Sequence, residues 1–207
     1  MTTVLMALVG LAVVAWLVLR TQPASAHCDT LDGPAVAAGR RALDSGNLNH
    51  ALVWVGPDAE AELRDVFDAA RRVRSAGGEA ADLADRLFLE TLVRLHRLGE
   101  GAAFDGLKPA GTTDAAVVAA DKAIETGSTA PLVGVVAEDE IPKLDDLLQA
   151  ALALRDYPVD DVDAGRRYLA AYVAFVKHAE ADPEHCGHDA GAHESKDHAC
   201  SAHSHQH

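Results

Sequence analysis

Between Glu79 and Leu98 apolar side chains recur at three- and four-residue steps, at Leu83, Leu87, Phe88, Leu92, Leu95 and Leu98, with Thr91 in the same series. A strand would place alternate residues on one face, so this period specifies an amphipathic helix about twenty residues long. The opposite face carries Arg86, Glu90, Arg94 and Arg97, which sets Glu90 four residues from an arginine on either side and makes it a solvated ion-pair residue. Similar punctuation divides the chain before it. Asp32-Gly33-Pro34 reads as an N-cap and an early helical proline, predicting a helix from Pro34 to Leu43 that ends near Gly46. A short apolar helical turn spans His50 to Val55. Pro57 begins another helix with Leu63, Val66, Phe67 and Ala70 on one face and Arg71, Arg72 and Arg74 near its C-terminal end, stopped by Gly77-Gly78. Aromatics make up only 4% of the chain and apolar residues 49%, which favours closely packed helices over a sandwich of strands. The fold class expected is all-α.

The segment Gly99 to Asp114 breaks the helical period and reads as a linker. Beyond it the pattern restarts. Ala42-Leu43-Asp44-Ser45-Gly46 matches Ala123-Ile124-Glu125-Thr126-Gly127, and the register continues through Val55 and Val136, Asp58 and Asp139, Leu63 and Leu144, and Ala70 and Ala151. After one residue of slippage, Arg86, Phe88, Leu89 and Val93 align with Arg166, Tyr168, Leu169 and Val173. The expected architecture is a helical bundle built from two duplicated helical-hairpin repeats, at about residues 34–99 and 114–179, within a folded unit of residues 27–181. His50 and His96 have Pro131 and Val176 as counterparts, so any role they play is asymmetric. His96, beside Leu92 and Val93, reads as a hydrogen-bonded core histidine; His178 falls on a polar edge near a helix C-terminus.

Residues 1–26 carry a different signal. Val4 to Leu19 is uninterrupted apolar sequence, followed by Arg20-Thr21-Gln22-Pro23 and then Ala24-Ser25-Ala26, an A-x-A cleavage pattern. The expected product is an exported protein, periplasmic or extracellular, that begins at His27; the alternative is an uncleaved membrane anchor with an extracytoplasmic domain. The net charge is −14, and removing the leader, whose only charged side chain is Arg20, makes it one unit more negative. Such a balance, with no basic patch, excludes nucleic acid as an expected partner.

Cleavage would free an α-amine beside an imidazole, a thiol and carboxylates at His27, Cys28, Asp29 and Asp32. An amine and the ring of the same histidine chelate one ion, and a thiolate adds a soft donor suited to copper, nickel or zinc. The alternative for Cys28 is a disulfide to Cys186 or Cys200. From Asp182 the helical pattern ends, and residues 182–207 hold His185, Cys186, His188, His193, His198, Cys200, His203, His205 and His207 among Gly, Ala, Ser and acids. This composition cannot bury a core and is expected to be a disordered tail that binds several metal ions. Its spacing matches no closed zinc-finger pattern.

His27 to Pro34, Gly46-Asn47-Leu48-Asn49, Glu90 to Arg97 and Gly106-Leu107-Lys108-Pro109-Ala110-Gly111 together resemble a secreted prokaryotic family of unknown function, over about Ala26 to Ala179. That resemblance implies a domain boundary and no reaction. His27-Cys28-Asp29-x-x-Asp32-Gly33 is also similar to the amino-terminal hook of nickel superoxide dismutase, which implies metal ligation by amine, ring, backbone amide and thiolates; Asp32 stands where that hook has its second cysteine. The terminal histidine resembles the copper brace of secreted oxygenases in that single residue. There is no Gly-rich phosphate loop, nucleophile elbow, H-E-x-x-H or zinc-ribbon cysteine pair. The expectation is a metal-binding protein for buffering or delivery, with a superoxide-dismutase-like redox enzyme or a membrane-anchored helical interaction module without metal as alternatives.

Overall fold

A computed structural model of the chain describes residues 26–180. Residues 1–25 of the leader and the tail, including His185, Cys186, His188, His193, His198, Cys200, His203, His205 and His207, lie outside the described residues. Seven α-helices run through the described part: α1 (Pro34–Ser45), α2 (Asn49–Leu52), α3 (Glu60–Arg74), α4 (Gly78–Gly99), α5 (Ala115–Thr126), α6 (Ile141–Leu152) and α7 (Val162–Glu180). Single 3-10 turns occur at Ala26–Asp29, Pro57–Ala59, Ala130–Leu132 and Glu138–Glu140. Among the described residues no strand forms, and none of the helices is long and apolar enough to cross a membrane. The protein is an all-α bundle.

Local chemistry sets the helix ends. Pro34 opens α1, where its missing N–H removes no intrahelical bond. Gly46 and Gly127 end α1 and α5 at φ of 73° and 69°, and their N–H groups donate to the carbonyls of Ala42 and Ala123. The Asp114 side chain accepts from Ala116 N at 2.8 Å and caps α5. Two apolar clusters result. In the first, α1 and α3 pack on α4 through Val36, Leu43, Leu52, Leu63, Phe67, Phe88 and Leu92. In the second, α5 and α6 pack on α7 through Val117, Leu132, Leu144, Leu148, Phe175 and Val176. Trp54 packs against both, with its ring edge-on to His96 at 5.3 Å and to Tyr172 at 6.5 Å. Arg166 on α7 ties the halves as well, donating to Val55 O at 3.0 Å and pairing with Glu60 at 2.5 Å.

The longer helices follow one another in the same order on both sides of residues 100–114, with the 3-10 turn Ala130–Leu132 where the first half has α2, and several matched positions share environments. Leu63 and Leu144, Val55 and Val136, Leu89 and Leu169, and Ala70 and Ala151 are all buried, while Asp58 and Asp139 both sit in the 3-10 turn that leads into the next helix.

One helix is rotated from the expected register. Leu83 is 69% exposed, Leu87 and Leu98 are also exposed, and Leu89 and Val93 are buried in their place. Because α4 contacts α1 as well as α3, its buried arc is wide and takes in residues 88, 89, 92, 93, 95 and 96. Arg97, expected on the polar face, is buried in consequence. Glu90 pairs with Arg86 at 2.8 Å, whereas Arg94 turns to Glu62 on α3.

Candidate functional site

The residues after Ala26 form a buried turn. His27 is 5% exposed and Cys28 4%, and Asp29 and Thr30 are more deeply covered still. Backbone bonds hold the segment: Lys108 N donates to Asp29 O at 2.8 Å and Leu31 N to Lys108 O at 3.0 Å, so the Gly106–Gly111 loop clasps it from outside. Thr30 Oγ1 donates to His27 O at 3.1 Å. Gly33 is required here for close approach, since a Cβ on it would lie 2.2 Å from the His27 carbonyl oxygen.

The His27 ring reaches α5 and α7 of the second half. Its Nε2 lies 2.8 Å from Asp121 Oδ2, and the Tyr172 hydroxyl donates to Asp121 Oδ1 at 2.6 Å. A carboxylate oxygen accepts from an Nε2–H, and in that tautomer the lone pair of the ring lies on Nδ1. That Nδ1 is buried without a hydrogen-bond partner. A carboxylate that orients a histidine and fixes its tautomer from the far nitrogen is the usual outer support of a metal-bound imidazole. Burial, followed by the charge of Asp121, holds the Tyr172 phenol far above its ordinary value, which keeps its hydroxyl available as a donor.

Cys28 is the only cysteine among the described residues, and its thiol is free. Burial pushes that thiol up to about 12, with the negative charge of Glu100 adding to the effect and Arg97 opposing it. His27 and Cys28 share a cavity of about 10 Å³ with Glu100, Tyr172, Val173, Val176 and Lys177. On its other side His27, together with Asp121 and Asp32, borders an open cleft of about 790 Å³ along α5. Glu100, just past the end of α4, pairs with Lys177 at 3.0 Å and lies 3.7 Å from His96 Nε2 and 3.9 Å from Arg97. His96 is the core histidine expected: its Nδ1 bonds Trp54 O at 2.9 Å, and burial lowers its tendency to protonate. His178 pairs with Glu140 at 2.7 Å.

Of the four head residues singled out in the sequence, His27 and Cys28 are brought together. The cavity they share includes neither Asp29 nor Asp32. Asp29 is buried beside Lys108, whose Nζ lies 3.4 Å away without hydrogen-bond alignment. Asp32 accepts from Gly111 N at 2.9 Å, and that bond holds its carboxyl below the usual range. Among the described residues, no three His, Cys, Asp or Glu side chains are grouped so as to hold a metal ion. Glu100, Asp121, Tyr172 and Lys177 went unnoticed in the sequence. Asp121 meets His27 from 94 positions away, and no local pattern announces such a pairing.

No curated protein and no solved structure matches the chain. Residues 32–178 match a family model described as a family of unknown function, DUF6448. The matched span begins just after the His27-Cys28 turn and closes within the last helix. The chain therefore belongs to DUF6448, a family of unknown function.

Proposed function

We propose that the chain is an exported metal-binding protein for copper, nickel or zinc, acting in buffering or delivery. The observation that carries this reading is the state of the His27 ring: Nε2 is pinned by Asp121, and Nδ1 is buried and unpartnered. Hydrolysis after Ala26 would free the α-nitrogen of the same residue, and amine plus Nδ1 close a chelate ring on one ion. Cys28, next in the chain and lining the same cavity, adds sulfur once its proton is displaced. Two residues then contribute three donors, an arrangement that grouping of side chains alone does not reveal.

The tail extends the same chemistry. The His185-Cys186-Gly187-His188 run and the histidines after it carry the same nitrogen and sulfur donors. Its donors would collect additional ions. A redox cycle of the superoxide-dismutase type has no comparable support, because Asp32 stands in place of a second thiolate and is held by the Gly111 amide.

Mass spectrometry of the exported protein tests the reading. The expected result is a chain beginning at His27 that retains copper, nickel or zinc at micromolar concentration, with most of the bound metal lost on truncation after Ala181. A chain that still begins at Met1, or a processed chain that binds none of these ions, overturns it.

A further inference from the structure

His50, which has Pro131 as its counterpart in the second half, borders a cavity of about 250 Å³ remote from the His27-Cys28 turn. The cavity lies where the halves meet: α1 gives Pro34, Ala38 and Arg41, α2 gives His50, and the loop of residues 153–161 gives Tyr157 and Val159. Small-molecule sites favour such seams between packed units. Two contacts fix its walls. Gly165, inside α7, lets Tyr157 and Val53 pack against that helix, since a Cβ there would lie 2.7 Å from the Tyr157 ring and 2.4 Å from Val53. Asn49 Nδ2 donates to Asp160 Oδ1 at 3.1 Å and ties α2 to the loop.

The lining carries charge of one sign. The chain has a net charge of −14, yet no Asp or Glu borders this cavity, and the exposed Arg41 forms no ion pair among the described residues. Burial, joined by the Arg41 charge, lowers the tendency of His50 to protonate; burial raises the Tyr157 phenol, with Arg41 opposing. A guanidinium, a neutral imidazole and a phenol O–H therefore face the same space as the apolar surfaces of Val53, Trp54 and Val159. Paired guanidinium N–H groups match a carboxylate, and the aromatic and aliphatic walls suit a flat apolar body. The volume falls below the range of drug-sized ligands, which limits that body to about one ring. We propose that this cavity binds a small organic carboxylate, with Arg41 holding the anionic group, His50 and Tyr157 hydrogen-bonding to it, and Trp54 packing on the ring.

The test titrates the full chain with benzoate, benzyl alcohol and acetate, following the Trp54 indole N–H by NMR and distinguishing it from that of Trp16 with Trp16→Phe. Benzoate is expected to bind with a Kd of about 1 mM or tighter, at least about tenfold tighter than the uncharged alcohol or the ringless acetate. Arg41→Gln should weaken benzoate about tenfold or more, and Ala38→Leu, which fills the cavity, should abolish its effect on Trp54. Arg40→Gln removes the same charge from the neighbouring position, which does not border this cavity, and should bind as the parent does. No shift of the indole signal with benzoate up to about 10 mM overturns the proposal. So do equal affinities for benzoate and either control compound, equal losses in the Arg40 and Arg41 variants, and unchanged binding in Ala38→Leu.

Discussion

Asp121 is the residue on which the head of the folded chain turns. It satisfies two otherwise buried groups, His27 Nε2 and the Tyr172 hydroxyl, from two other elements. Asp121→Ala strands both and is expected to lower stability by about 2–3 kcal/mol, whereas Tyr172→Phe removes one donor and costs about 1 kcal/mol. Urea denaturation of the single and double variants checks this, and the double variant should lose less than the sum because the two changes share a partner. Cys28 supplies a second prediction for the metal-free chain. Burial pushes its folded thiol up to about 12, against 9.0 for an exposed thiol, so the unfolded state loses its proton first as pH rises. Stability is therefore unaffected by this group below pH 9 and falls by about 1.4 kcal/mol per pH unit above it, until the folded thiol ionises. Cys28→Ala should flatten that alkaline slope in denaturation curves recorded between pH 8 and 11. Neither Asp121 nor Glu100 was legible in the sequence, because each gains its meaning from contacts made across the fold and not from near neighbours.

The helices themselves were legible. Gly46, Gly77-Gly78 and Pro34 mark ends that local backbone chemistry dictates, and the three- and four-residue period places α4 within a residue of its ends, while the helix expected from Pro57 opens with a 3-10 turn and becomes α3 at Glu60. The facing of α4 was not, since a helix that touches two neighbours buries a broader arc than a single stripe implies, and Leu83 and Leu98 fall outside it. Asp32-Gly33-Pro34 was recognised as a helix start, yet the tight approach of Gly33 to the His27 carbonyl is a matter of tertiary packing. Gly33→Ala is expected to shift the Ala26–Asp29 turn and lower stability by about 1–3 kcal/mol. Thermal unfolding should reveal the loss, and the same variant of a chain beginning at His27 should bind zinc more weakly than its parent.

At the scale of the whole molecule, two apolar clusters meet around Trp54 and are tied by Arg166, which makes bonds to Val55 O and Glu60 in the opposite half. Arg166→Met removes those bonds and leaves Glu60 with Arg64 as its remaining partner. The expected outcome is a loss of about 1.5–3 kcal/mol and a broader thermal transition in calorimetry, as the halves begin to melt separately. The placement of the turn after Ala26 has a consequence in time as well. A peptidase grips its substrate as an open strand, and the bond before His27 belongs to a coiled turn roofed by residues 106–111 and backed by α5 and α7. If the bond before His27 is cut, as proposed, the scissors must arrive while the polypeptide is still emerging, because a chain that closes first shuts its own cutting point away.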